Sequence, residues 1–186
     1  MLYGGDEHTL HNIYGIPLGE AKRIVEIYYE RFPEILVYQQ DTFDFAQRNG
    51  YVESPFGRRL YLPYIKDRDP KRVADARRTA INMPIQGTAS DILLCAKVVA
   101  YSHMTERRMR SMIVNTVHDS MVLDVYPGEL EELIVMFKNA MENVKSYAPT
   151  FFPHLDFGWL CVPLKAEVEV GSHYGAMKEL EHDSRW

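Results

Sequence analysis

The segment Thr116–Ser120 constrains the fold of this chain most strongly, because it is a short polar break between two apolar runs. Met112–Val114 and Met121–Leu123 consist of residue types that favour strands, and two such runs around a short break predict an antiparallel β-hairpin. The break carries Asp119, which strand geometry would hold rigidly at an exposed tip. A carboxylate fixed in that way can bind a divalent metal ion. Aspartate is also common in ordinary surface turns, so this segment alone leaves both interpretations open.

Length and composition are those of an ordinary folded protein. The 186 residues are enough for one core or a tightly joined pair of subdomains, with 46% hydrophobic and 25% charged residues. Cys95 and Cys161 lack C-x-x-C spacing, which argues against a disulfide scaffold or zinc site and favours a reducing cytoplasm. No apolar run is long enough to predict a membrane span, and the first residues do not have the pattern of a signal peptide.

The charge distribution gives two conflicting indications. The net charge of -5 argues weakly against a nucleic-acid partner. Between Arg58 and Arg78, however, eight basic residues face only three acidic ones. A local basic strip can bind phosphates even on an acidic protein, because the field of each charge is short-ranged at physiological salt. On charge alone, a solvated loop is the simpler interpretation.

Apolar periodicity predicts helices packed on a few antiparallel strands, which defines an α+β fold. The predicted helices run from Pro17 to Phe32, from Pro33 to Asn49, from Lys71 to Asn82, from Ile85 to Arg107, and onward from Pro127–Gly128. The predicted strands are 51–53, 59–62, the two runs around Asp119, and Val162–Val170. Pro84 is expected to interrupt the long helical stretch, because proline lacks the N–H that a helix interior needs.

Three polar residues, Arg78, Asn82 and Gln86, follow one another at intervals of four. A helix places residues at this spacing on one face. Arginine offers a forked donor, and the two amides offer donors and acceptors, so the stripe could read the minor groove of DNA. A polar network that joins two helices is an equally good interpretation of the stripe in isolation.

Four stretches together give the chain a resemblance to a known family. They are Leu2–Gly4, Gly50–Arg59, Arg78–Asp91 with its Asn-Met-Pro-Ile-Gln-Gly-Thr-Ala core, and Val117–Asp119. In order and spacing, they resemble the C-terminal part of a family A DNA polymerase, of the bacterial DNA polymerase I type or a phage version of it. The resemblance covers nearly the whole chain and is consistent with a sequence that begins inside the fingers subdomain.

The resemblance implies an antiparallel palm sheet with packed helices and a partial fingers subdomain, divided into residues 1–70 and 71–186. It implies template-directed transfer of a nucleotide from dNTP to the 3′-OH of a primer. Two Mg²⁺ ions are the implied cofactors, and primer–template DNA is the implied partner. The implied location is the cytoplasm, or the host cytoplasm for a phage protein.

The resemblance also implies individual roles. Asp119 would be one of two metal-binding aspartates, and His118 would lie near the primer terminus. Primer–template contacts are implied for Arg78, Asn82 and Gln86, and contacts with template phosphates for Arg58 and Arg59. Tyr3 resembles the tyrosine that stacks at the template position.

Two departures from the family pattern matter. The other catalytic aspartate belongs to an earlier motif of the D-Y-S type, which this sequence lacks. We therefore expect the chain alone not to polymerise DNA, and we expect an upstream polymerase chain to supply the missing acid. In addition, Ser120 stands where the family usually has glutamate.

Three alternative functions are open at this stage. The chain could be a non-catalytic DNA-binding module or an inactive truncated remnant. A metal-dependent phosphodiesterase is less well supported, because a nuclease also needs clustered acids.

Overall fold

The computed structural model describes residues 5–180, which form an α+β fold as predicted. The helices are α1 (Glu7–Tyr14), α2 (Leu18–Arg31), α3 (Pro33–Asn49), α4 (Pro70–Glu106), α5 (Leu130–Glu142) and α6 (Val144–Phe151). The strands are β1 (Tyr51–Glu53), β2 (Arg59–Tyr61), β3 (Met112–Val117), β4 (Ser120–Asp124), β5 (Glu169–Val170) and β6 (Lys178–Glu179), and a 3₁₀ turn spans Tyr174–Ala176. Consecutive strands pair into three separate antiparallel hairpins.

The described chain divides after Thr88 into two compact units. This division concerns compactness, so the predicted subdomain bounds of 1–70 and 71–186 stay a prediction. None of the helices in residues 5–180 is long and apolar enough to cross a membrane. Cys95 is a buried free thiol, and Cys161 is an exposed one.

The core of the first unit lies between α3, the β1–β2 hairpin and the beginning of α4. Its buried residues are Ala46, Val52, Leu62, Ile65, Ala76 and Ala80. Helix α3 ends where Gly50 adopts a positive φ of 80° and its N–H donates to the carbonyl of Ala46. Glycine is favoured at such a C-cap because a side chain would clash there. This cap turns the chain directly into β1.

The core of the second unit joins the end of α4 to α5. Its buried residues are Val99, Ala100, Met104, Leu133, Met136, Phe137 and Ala140. One face of the β3–β4 hairpin also packs on this cluster, through Ile113, Met121 and Leu123. The two apolar runs that predicted the hairpin therefore supply the face that fixes it to the helices.

The predicted break at Pro84 is wrong, because α4 runs through this residue without interruption. Proline removes one backbone hydrogen bond, but burial and side-chain hydrogen bonds stabilise the adjoining turns of the helix. Ala80 and Ile81 are almost fully buried. The hydroxyl of Tyr38 donates to the carbonyl of Ile81 (2.8 Å). The Thr88 hydroxyl donates to the carbonyl of Pro84 itself.

The predicted strand Val162–Val170 is also mostly wrong, because only its last two residues form a strand, β5. The Ala166 N–H donates to a carboxylate oxygen of Glu142 (3.0 Å) and not to a neighbouring strand. Val162 is 62% exposed. The apolar composition therefore reflects an irregular segment with one anchor in α5, and periodicity alone could not distinguish it from a strand.

Candidate active site

Asp119 lies at the tip of the β3–β4 hairpin, as the sequence predicts. Val117 pairs with Ser120, which leaves His118 and Asp119 as the two loop residues, and both are exposed. His118 has a φ of 52°. This left-handed conformation is uncommon for a residue with a side chain and costs about 1–2 kcal/mol. Strained residues are common at functional sites, where the surrounding structure holds them in place.

The Asp119 carboxylate forms no hydrogen bond or ion pair with another residue of the described range 5–180. Its neighbour Ser120 behaves differently. The Ser120 hydroxyl donates across the turn to the carbonyl of Val117 (2.9 Å). The Ser120 hydroxyl thus closes the turn, whereas the acidic group beside it is open to an external ligand.

A β-bulge at Val114 sets the orientation of the hairpin. Ile113 pairs with Leu123, but Asn115 pairs with Val122, so one extra residue is inserted in β3. Bulges are common next to active sites, because they redirect the side chains that follow. Without this insertion, Asn115 and the residues after it would point to the opposite faces of the hairpin.

A hydrogen-bonded clamp holds the base of the hairpin, at the end away from Asp119. The Glu129 carboxylate accepts from the backbone N–H groups of Arg110 (3.0 Å) and Ser111 (2.9 Å) and from the Ser111 hydroxyl (2.6 Å). The Ser111 oxygen also accepts from the N–H of Tyr126 (2.8 Å). These bonds join the residue before β3 to the segment after β4. The hydroxyl of Ser111 and the N–H of Arg110 lower the pKa of the Glu129 carboxyl below its usual value.

The predicted polar stripe lies on α4, and its three members differ in their surroundings. Arg78 is exposed and forms an ion pair with Asp75. Asn82 is half-buried, and its side-chain oxygen is a buried acceptor without a hydrogen-bond partner within residues 5–180. Gln86 is exposed. A polar network within residues 5–180 therefore does not include the Asn82 oxygen.

The two predicted template-contacting arginines also have partners within the chain. Arg58 donates through Nη2 to the carbonyl of Gly87 (2.8 Å), which ties the β1–β2 hairpin to α4. Arg59 donates through Nε to Glu53 (2.5 Å), and this hydrogen bond is the main cause that raises the pKa of its guanidinium. Tyr3 lies outside the described residues.

The basic strip between Arg58 and Arg78 is less free than its composition suggests. Arg72 pairs with Asp67 (3.3 Å), and the guanidinium of Arg77 lies 5.0 Å from the ring centre of Phe43. Lys66, Arg68 and Lys71 of this strip are exposed, and their side chains form no ion pair, hydrogen bond or ring contact within residues 5–180.

The predicted site residues thus fall into two sets, each within one compact unit. His118 and Asp119 belong to the second unit, and the arginines and the polar stripe belong to the first. Within residues 5–180, no group of three or more histidine, cysteine, aspartate or glutamate side chains is placed to hold a metal ion.

Two features of the hairpin escaped the sequence prediction. One is the Glu129 clamp. The other is Lys97, whose Nζ donates to Oγ1 of Thr116 on β3 (3.1 Å). A lysine inside the apolar run of α4 was the available signal for the second feature, but a partner 19 residues away cannot be inferred from spacing.

A profile of DNA polymerase family A matches residues 1–176, so this chain belongs to that family. The DNA polymerase I of Thermus aquaticus, a thermostable enzyme, is 34% identical over 179 residues, which are 96% of this chain and 20% of that protein. The DNA polymerase I of Deinococcus radiodurans is 35% identical over 174 residues, 94% of this chain and 17% of its own length. The chain spans about a fifth of these relatives.

One solved structure gives a corresponding result for the fold. It is the POL domain of Pol1 from M. smegmatis in complex with DNA primer-template and dNTP. The two share 33% sequence identity with a TM-score of 0.72, over 79% of this chain and 26% of the other.

Proposed function

We propose that this chain forms the C-terminal part of a DNA polymerase centre that transfers nucleotides from dNTP to a primer 3′-OH under the direction of a template. The observation that carries this proposal is the exposed Asp119 carboxylate without a partner in residues 5–180, at the tip of a strained hairpin, in a chain of family A. The relative from M. smegmatis, solved with primer-template and dNTP, supports DNA and dNTP as the substrates.

The metal ions of such a centre would bind to Asp119. Carboxylate oxygens are the hard donors that Mg²⁺ prefers, and those of Asp119 are available, so the residue suits this ion. When bound, two such ions stabilise the charge on the attacking and leaving oxygens of phosphoryl transfer. One carboxylate supplies too few ligands for both ions, so a second acid must come from a segment outside this sequence.

The other side chains would bind and orient the nucleic acid. His118, beside Asp119, would contact the primer end. Asn82 and Gln86 would contact the minor groove. Arg59 and Arg78 would exchange their ion pairs with Glu53 and Asp75 for contacts with phosphates. Arg58 would contact template phosphates while its Nη2 still donates to the carbonyl of Gly87.

We further propose that activity requires an upstream partner, which carries the second catalytic acid in the cytoplasm of a bacterium or of a phage-infected host. The experiment has two arms. The chain alone, with primer–template, Mg²⁺ and dNTPs, should not extend the primer. A chimera in which residues 1–176 replace the matched segment of the Thermus aquaticus enzyme should extend it. Extension by the chain alone would refute the need for a partner, and an inactive but folded chimera would refute the catalytic role.

A second candidate is a DNA-binding module without catalysis. The specific observation in its favour is that no cluster of metal-binding side chains exists within residues 5–180. The two candidates differ for Asp119→Ala in the chimera. In the catalytic case synthesis stops while DNA binding persists, whereas a pure binding module does not depend on this side chain.

A further inference from the structure

Lys97 is a charged residue in an apolar part of α4 that the proposed chemistry does not yet use. Lys97 is half-buried, between the buried Ala96 and the 41% exposed Val98. Its ammonium donates to the hydroxyl of Thr116 (3.1 Å). It forms no ion pair with a carboxylate of the described residues 5–180. Within the described part of the chain, this positive charge therefore lies against β3 without a neutralising acid.

This arrangement favours an external anionic partner for the lysine. Withdrawing a charge from water is unfavourable when no opposite charge compensates it, and an aliphatic residue would suit an apolar helix segment better. An ammonium group has three N–H donors, and Thr116 accepts only one hydrogen bond from it. Two donors remain for an anionic ligand. An ammonium is, moreover, a common point-charge partner of phosphate oxygens.

The position of Thr116 indicates which ligand this is. Thr116 precedes His118 by two residues on the strand that leads to the tip. At about 3.3 Å per residue, its hydroxyl lies within roughly 10 Å of Asp119 along β3. A nucleic-acid strand carries one phosphate per about 3.4 Å of helix axis. A primer that ends at Asp119 would therefore bring the phosphates of its last few nucleotides within the range of Lys97.

We propose that Lys97 is a further substrate-binding residue, which contacts the phosphate backbone of the primer strand near its 3′ end. Thr116 acts as a positioning residue, because its hydroxyl orients the ammonium beside β3. This inference rests on the proposed function, since it requires the primer end to lie at the hairpin tip.

The test measures binding of the full chain to a fluorescent primer–template by anisotropy over a series of salt concentrations. Lys97→Gln keeps a donor for Thr116 and removes the charge, whereas Lys97→Arg keeps the charge. Lys145→Gln is the matched control, because Lys145 also makes one hydrogen bond in this unit, to the carbonyl of Leu160 (2.8 Å). For Lys97→Gln, we expect binding to weaken severalfold. The negative slope of log K against log salt should become shallower by about 0.9. Lys97→Arg and Lys145→Gln should keep the slope of the original chain.

An unchanged slope in Lys97→Gln would overturn the inference, even if this variant melts at a lower temperature, because a structural role affects folding and not counterion release. A chain that does not bind primer–template at all would refute the proposed function together with the inference. A second measurement uses the unaltered chain and so does not depend on the folding of any variant. Bound primer–template should protect the Lys97 amine, but not that of Lys145, from acetylation, and equal labelling of both amines with and without DNA would contradict the contact.

Discussion

The β1–β2 and β3–β4 hairpins solve the same geometric problem in different ways. Each turn contains a residue with positive φ, which is Gly57 (82°) in the first hairpin and His118 (52°) in the second. Glycine adopts this conformation without steric cost, whereas histidine is strained in it. The first turn therefore has the residue type that is expected where a turn only connects two strands. The second retains a side chain next to Asp119 at the expense of stability, as is common where a turn serves function.

The two hairpins also differ in how they are supported. Val52 of β1 is 1% exposed, so the first hairpin is anchored directly in a core. The second hairpin packs one face on helices and is closed at its base by the Glu129 clamp. A two-stranded hairpin is at best marginally stable alone, so this clamp explains how a strained tip can still be held in place.

The largest expected effect concerns the acid at the strained tip. In the chimera, Asp119→Asn removes the metal-binding charge and should lower the rate of nucleotide incorporation by about 100-fold or more, which corresponds to roughly 3 kcal/mol of lost transition-state stabilisation. Asp124→Asn is the matched control, because Asp124 is exposed at the other end of β4 and pairs with Met112. Primer-extension kinetics should show equal rates for this control and the parent chimera. Equal losses in both variants would mean that Asp119 has no special role.

The next effect concerns the base of the same hairpin. Ser111→Ala leaves the Tyr126 N–H and the Glu129 carboxylate each without one partner, and should reduce the free energy of unfolding by about 1–3 kcal/mol. Ser102→Ala serves as the control, since the Ser102 hydroxyl makes only a long bond to Glu106 (3.4 Å). Urea unfolding measures both values. If the two variants are equally stable, the clamp does not support the hairpin.

The clamp should also give the second unit a characteristic dependence on pH. The pKa of Glu129 is lower in the folded chain than its usual value of 4.5, so its contribution to stability is complete above that value. This contribution is lost as the pH falls through the lower, folded-state pKa. Thermal melting between pH 7 and pH 3 should show a smaller decline for Glu129→Gln than for the original chain. The exposed Glu131, in the first turn of α5 and two residues after Glu129, provides the control Glu131→Gln, which should retain the full decline.

The smallest expected effect is on the free energy of unfolding, when one residue is replaced in each of the two turns. His118→Gly should raise the free energy of unfolding by about 0.5–1 kcal/mol, because glycine relieves the positive φ. Gly57→Ala should lower it by about 1 kcal/mol. A Cβ at Gly57 would have no neighbour within 4 Å, so this change reports backbone strain alone. Changes of the same sign in the two variants would contradict the contrast between the hairpins.

Sequence reasoning succeeded where structure depends on neighbouring residues. The runs around Asp119 identify the β3–β4 hairpin, and Asn49–Gly50 identifies the end of α3, because turn and cap preferences are local. It failed where the structure depends on contacts between residues that are far apart in the sequence. Helix α4 continues through Pro84 because of contacts with other elements, including the hydrogen bond from Tyr38.

The same distinction applies to the candidate site. The order of the motifs identified Asp119 and the polar stripe of α4. Arg59 pairs with Glu53, six residues away, and Arg78 pairs with Asp75, three residues away. These ion pairs are local, but the sequence alone does not show which nearby acid each arginine selects. The contact between Lys97 and Thr116 and the clamp from Glu129 to Ser111 connect residues about 18–19 positions apart. Helical and strand periods do not predict contacts over such separations.

The most direct test of the central claim is whether Asp119 binds a divalent ion. Mn²⁺ titrated into the isotope-labelled chain should broaden the backbone NMR signals of residues 117–120 first, because these lie closest to the Asp119 carboxylate. The broadening should disappear in Asp119→Asn and persist in Asp124→Asn. If the same signals broaden equally in Asp119→Asn, or if other residues broaden in their place, this carboxylate is not the metal ligand.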